Sequence, residues 1–171
     1  MNRNREDVCR RAEELGNRYE VECTGCAQST VAAIFDALGE GSDEVFRAAS
    51  GLADGIGLTG NGTCGALVGG ALAVSWFTGR RREDFQDMMA AMPSYLACRE
   101  LHDAFMAKYD CCRCHDLQTK VCGRAYNFWE PGEIEQALED GAMKHCAQVV
   151  GTAARLAVEI ILKADENRGQ E

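Results

Sequence analysis

Cys64-Gly65-Ala66-Leu67-Val68-Gly69-Gly70-Ala71-Leu72-Ala73-Val74-Ser75-Trp76-Phe77 decides the fold. No charge interrupts the run, and Ala, Leu, Val and Trp alternate with small glycines. The Ala and Gly content disfavours a strand, so the run reads as a buried central helix. Gly65, Gly69 and Gly70 each cost a helix about 1 kcal/mol against Ala. Their compensation is tight helix–helix contact. Upstream, Gly51, Gly55, Gly57, Gly60 and Gly62 punctuate a loop that ends in Gly60-Asn61-Gly62-Thr63. Glycine tolerates positive φ and lets backbone come close to other groups. Gly55, Gly57 and Gly60 superficially match a dinucleotide fingerprint, but no strand precedes them, so the match carries no meaning.

Outward from this centre the chain reads as helices. Val8, Ala12, Leu15 and Tyr19 recur at helical spacing in an N-terminal helix over residues 1–21. Val31, Ile34, Phe35 and Leu38 form the stripe of a second helix that stops at Gly39. Ser42 is a good N-cap for a third, through Leu52. Residues 82–92 are amphipathic through Phe85, Met88, Met89 and Met92, with Pro93 expected to end or kink that helix. Leu101, Phe105 and Tyr109 mark a helix over 94–109, Glu130-Pro131-Gly132 is a turn, and residues 133–140 form a short acidic helix. Cys146, Val150, Ala153, Ala157 and Ile160 give the last helix, over 143–164, a clear apolar face, with a polar tail over 163–171. The expected fold is all-α, a compact multi-helix bundle with a Gly-rich loop before a buried central helix, in one domain over 1–171.

Charge and composition exclude several functions. Eighteen basic against 27 acidic residues give a net charge of −9, which opposes nonspecific nucleic-acid or anionic-lipid binding. The apolar half of the low-charge run, about 14 residues, is too short for a bilayer, so no membrane insertion is expected. Residues 1–7 are polar and charged, unlike a secretory signal, and a cytoplasmic location is expected. Ten cysteines in such a compartment point to metal binding or redox chemistry more than to bridges. No Ser-His-Asp set or P-loop is present.

Cys23-Thr24-Gly25-Cys26 is a C-x-x-C pair outside any β-α-β context, able to bind metal or to cycle as a dithiol. Cys26 and Cys64 each stand at an expected helix start, where backbone N–H groups favour negative charge. A thiolate there has its pKa lowered, and the same donors can raise the potential of an iron–sulfur cluster. Cys111-Cys112-Arg113-Cys114-His115 is dense in donors. It also matches the c-type haem pattern, but covalent haem attachment needs export, which argues against haem c. Zinc with a distant partner such as Cys122 is a further reading. Cys9, Cys98 and Cys122 read mainly as core or accessory cysteines, because free cysteine is a small buried hydrophobe. His102 and His145 read as isolated surface residues, with His145 set apart because it adjoins Cys146.

These residues resemble the redox-active family named for its four cysteines, C-GCAxxG-C-C. Its central motif stands complete as Cys64-Gly65-Ala66-Leu67-Val68-Gly69, and Gly25-Cys26-Ala27-Gln28 resembles the first cysteine and its helix. Cys114-His115-Asp116-Leu117 is similar to the third position, with Cys111 and Cys112 as alternatives, and Cys146 to the fourth. The likeness spans residues 22–162. It implies a small helical redox protein. A related domain, similar to part of the split-Soret cytochromes, implies kinship with proteins carrying haem and an iron–sulfur centre. The resemblance implies a site built from Cys26, Cys64, Cys114 and Cys146, with Gly62 and Gly65 as the backbone positions expected to meet a cofactor. Four soft thiolates suit an iron–sulfur cluster, or zinc as the alternative. A second reading is a metal-free oxidoreductase, with Cys64 as nucleophile and Cys26 or Cys114 resolving it. A third is a binding or assembly module, possessing structural cysteines and a glycine-rich helix that leaves room for a homo-oligomer. The expected partner of the first two is another redox protein.

Overall fold

Helical periodicity in the sequence becomes eight α-helices in the computed structural model, which describes residues 4–168. They are α1 (Arg5–Cys23), α2 (Cys26–Leu38), α3 (Asp43–Ala48), α4 (Gly65–Thr78), α5 (Met92–Tyr109), α6 (Cys114–Cys122), α7 (Glu133–Glu139) and α8 (Ala142–Arg168). Single 3-10 turns cover Ser50–Leu52 and Met89–Ala91. The described residues contain no strand, only one antiparallel bridge between Thr63 and Arg113. The helices start and stop where side chains direct them. Ser42 accepts from the Val45 N–H at 3.3 Å and so caps α3. Gly39 closes α2 in the left-handed conformation.

The longest helix, α8, packs against α1, α2, α4 and α5. Val150, Ala153, Ala154, Ala157 and Val158 along it are fully buried. Its window Ala142–Glu166 is long and apolar enough to cross a membrane by length and composition, and 61% of that window is buried inside the fold. Helix α1 runs antiparallel to it, since Arg5 pairs with Glu166 at one end while Gly16 meets Gly151 further along. A Cβ on Gly16 would come within 2.9 Å of the Gly151 Cα, so only glycine permits this approach.

Helix α4 is the buried central helix expected from its composition. Two of its glycines face α2: a Cβ on Gly65 would overlap the Cys26 sulfur, and one on Gly69 would overlap the Ala27 carbonyl. Gly70 faces the other way, towards Leu101 on α5 and Ala153 on α8. The contacts these glycines allow offset their cost in helix propensity.

Four expectations change, the first being that α3 stops at Ala48, short of Leu52. Residues 82–88 are not helical. Arg80 donates to the Asp87 carbonyl at 2.8 Å and stacks over Phe85, while the Asp87 carboxylate accepts from the Met89 N–H at 2.8 Å. Such local bonds compete with a helix, and they leave Phe85 59% and Met88 70% exposed. Pro93 begins α5 rather than ending a helix, because the first turn has no use for its missing N–H. The polar tail continues α8 as far as Arg168, and residues 169–171 lie outside the described residues.

Replacing Gly69 by Ala forces α4 away from the Ala27 backbone. Urea unfolding will show a loss of about 1–3 kcal/mol, although Ala alone favours a helix by about 1 kcal/mol. A Gly69→Ala chain as stable as the parent would mean that this contact does not limit the packing.

Candidate functional site

Two backbone segments about fifty positions apart are stapled side by side. The Cys64 N–H donates to the Cys112 carbonyl at 2.7 Å, and the Cys114 N–H donates to the Gly62 carbonyl at 2.9 Å. Arg113 adds a bond to the Asn61 side chain at 2.7 Å. This staple brings Cys64, the N-cap of α4, beside Cys114, the first residue of α6. Cys26 opens α2, so three cysteines stand at helix starts. Gly65 gives Cys26 room to lie against the start of α4.

A cavity of about 220 Å³ lies between these elements. Cys26, Cys64, Cys114, Cys122 and Cys146 all line it, among apolar walls that include Leu117, Val149 and Val150. The segment after α6 covers it with Tyr126, Phe128 and Ile134. The Tyr126 N–H donates to the Gln118 Oε1 at 3.0 Å, and the Trp129 Nε1 donates to the Gly57 carbonyl at 3.1 Å. The thiols fall into contacts. Cys64 and Cys114 shift one another's proton affinity, as do Cys122 and Cys146. Among the described residues no three His, Cys, Asp or Glu side chains are grouped to hold a single metal ion.

The Gly-rich loop supplies a carboxylate to the same cavity. Asp54, Gly55, Ile56, Gly57 and Leu58 are five successive residues with positive φ, from 48° to 72°. Each L-residue held in that region costs about 1–2 kcal/mol. Bonds from Gly57 to the Gly51 carbonyl (2.9 Å), Gly60 to the Asp54 carbonyl (2.8 Å) and Gly62 to the Gly55 carbonyl (3.0 Å) hold it. Gly55 is required twice over: its φ is 72°, and a Cβ there would lie 2.8 Å from the Gly60 carbonyl carbon. The result aims Asp54 inward, only 6% exposed. Its N–H points at the Cys26 sulfur at 3.5 Å, and its Oδ1 accepts from the Cys114 thiol at 2.9 Å and from the Gln118 amide.

Proton affinities separate within this group. Cys64 is pulled below the ordinary thiol value, chiefly because the Cys114 thiol donates to it, helped by the N–H groups of Ala66 and Leu67. Cys114 is raised because its proton is held by Cys64, in a buried place beside the Asp54 charge. One proton on Cys114 thus has two acceptors. Cys122 is lowered by the Cys146 thiol, and Cys146 is raised correspondingly. Burial raises Asp54 despite its two hydrogen bonds. Glu20, 4% exposed, is raised to about 7 by burial, against a bond with Ser29. Glu20 Oε2 and Asp54 Oδ2 are buried without a hydrogen-bond partner.

All four cysteines expected from the sequence therefore share one cavity. Of the candidates for the third position, Cys114 lines it, while Cys111 donates to the Tyr109 carbonyl at 3.4 Å and Cys112 packs against the main core. The expectation that a helix start lowers Cys26 is overturned: burial and the nearby Cys64 charge push it well up, and only one long N–H bond opposes them. Neither Gly62 nor Gly65 lines the cavity. Gly62 uses its N–H and carbonyl on Gly55 and Cys114, and Gly65 serves the approach of α4 to Cys26. His102, His115 and His145 are exposed. Cys122, read from the sequence as a core or accessory cysteine or a distant zinc partner, also lines the cavity. Glu20 and Asp54 were missed. Glu20 lies four residues after Gly16 on the buried face of α1, and Asp54 is the one charge inside an apolar, glycine-rich loop.

A helical bundle with five thiols in one cavity defines a class of cysteine-centred proteins. The chain belongs to the family described as "Putative redox-active protein (C_GCAxxG_C_C)", whose pattern matches residues 24–160 of 171. No curated protein and no solved structure matches the chain.

The raised Glu20 fixes a pH dependence. Its folded value, about 7, lies above the usual 4.5. The folded state therefore binds the proton more tightly, and that stability is complete below 4.5 and lost as pH rises through 7. In the metal-free chain, Glu20→Gln will remove up to about 3 kcal/mol of this decline, measured by urea unfolding from pH 4.5 to 8. Parallel stability curves for the two chains would show that Glu20 ionises normally.

Proposed function

We propose that the chain is a redox protein in which Cys26, Cys64, Cys114 and Cys146 hold an iron–sulfur cluster for electron transfer or redox chemistry. The observation that carries this reading is that sulfurs from four separate helices line one apolar cavity. The donor set fits: thiolates are the ligands such clusters take, and apolar walls limit water. A lone ion such as zinc fits less well, because among the described residues no three donors are grouped around one point. When bound, a cluster supplies one-electron transfer at a potential set by its surroundings.

The chain's own groups prepare such a site. Ligating thiols must lose their protons. Cys64 is already inclined to do so, chiefly through the Cys114 thiol and further through the Ala66 and Leu67 N–H groups. Asp54 Oδ1 stands 2.9 Å from the Cys114 sulfur, in position to take its proton. The Asp54 N–H points at Cys26 and offers a donor to its thiolate. Glu20, raised to about 7 by burial, brings less negative charge to the cavity at neutral pH than an ordinary carboxylate would. Tyr126 and Phe128 shield the sulfurs from solvent.

The contact between Cys64 and Cys114, with proton affinities pushed apart, favours a second reading as a metal-free dithiol. In that reading Cys64 is the nucleophile and Cys114 its resolving partner.

Anaerobic reconstitution with iron and sulfide separates the two. The expected outcome is visible charge-transfer absorbance with bound iron and sulfide. Cys64→Ala and Cys114→Ala will abolish it, and Cys98→Ala, outside the cavity, will retain it. A colourless, iron-free parent chain would overturn the cluster reading and leave the dithiol.

A further inference from the structure

Cys122 ends α6, and Gly123, with φ 84°, turns the chain away. The following segment carries a small core of its own, Tyr126, Ala137 and Ala142, against which Cys122, Phe128 and Met143 pack. This segment is the cover of the cavity. The Cys122 sulfur lies 3.9 Å from the Ala142 carbonyl at the start of α8. Cys146 is one helical turn further along α8 from Ala142, which places its side chain on the same side of the cavity as the Cys122 sulfur. Both side chains are half-buried and both line the cavity. The contact ties the last residue before the cover to the first turns after it.

We propose that Cys122 and Cys146 are a reversible thiol–disulfide pair that locks the cover over the cavity, oxidised by a low-molecular-weight disulfide such as glutathione disulfide. The Cys122 thiolate attacks one sulfur of the small disulfide. That S–S bond breaks, a mixed disulfide forms on Cys122, and the first small thiol leaves with the Cys122 proton. The Cys146 sulfur then attacks Cys122, forms the Cys122–Cys146 bond and expels the second small thiol, which takes the Cys146 proton. Two protein thiols are oxidised and one small disulfide is reduced to two thiols. The pair stands whether or not a cluster binds. Only one consequence rests on the cluster reading: oxidation takes Cys146 out of the ligand set.

The test equilibrates the full-length, metal-free chain in glutathione buffers of rising oxidised fraction, then alkylates, digests with trypsin and measures mass. Trypsin leaves Cys122 in the peptide Val121–Arg124 and Cys146 in His145–Arg155, each with a single cysteine. The expected result is a loss of two hydrogens from the chain, two fewer alkylated cysteines and a cross-link between those peptides, all reversed by a dithiol reductant. Cys122→Ser will lose the cross-link, with its helical circular dichroism checked against the parent. Should that variant unfold, the parent's peptide map decides alone. Free alkylation of Cys122 and Cys146 where an exposed reference dithiol is fully oxidised would overturn the proposal, as would Cys146 linked to Cys26 or Cys64. Iron reconstitution of the reduced parent is scored separately, so failure of the cluster reading and failure of the switch are distinguishable.

Discussion

The close approach of α4 to α2 governs the molecule. Gly65 and Gly69 lie one turn apart on the same face of α4, and each meets an α2 atom that a Cβ would strike, the Cys26 sulfur and the Ala27 carbonyl. Cores are packed densely enough that such a contact cannot be loosened at one point alone. With α4 seated there, Cys64 and Cys26 become neighbours at two helix starts, and the bridge at Thr63 and Arg113 adds Cys114. The family's central motif, Cys64 to Gly69, is thereby a packing instruction as much as a chemical one.

The electrostatics of the cavity show two opposed forces with different winners. At Cys64 the neighbouring Cys114 thiol, aided by helix-start N–H groups, prevails over burial. At Cys26 burial prevails, aided by the Cys64 charge, over the long N–H bond from Asp54. Fixed donors lower a thiol only when they outweigh the loss of water around it. The two buried carboxylates sharpen the same point, since each keeps one oxygen without a partner in a low-dielectric space. Such groups are costly, and they lie beside the sulfurs rather than scattered through the core.

Much of this was legible in the sequence, and the misses have local causes. The composition of residues 64–77 revealed the central helix, and Val150, Ala153, Ala157 and Ile160 revealed the face of α8. The four site cysteines came from the family likeness together with helix-start positions. Phe85 and Met88 misled because their helical spacing is real, whereas Arg80 and Asp87 bind the backbone there instead. Cys122 was hidden because nothing along the chain signals that the end of α6 folds back on Cys146. Asp54 was hidden because its direction depends on a run of positive φ values that an Asp-Gly-Ile-Gly-Leu string does not announce.

That run from Asp54 to Leu58 has a consequence of its own. For five residues the backbone bends as the mirror image of an ordinary protein chain would. A D-isoleucine at position 56 would sit at ease where the natural L-isoleucine is strained. What the stretch encodes is therefore a local reversal of handedness, imposed on L-residues by the surrounding bonds and used to turn one carboxylate towards the sulfurs.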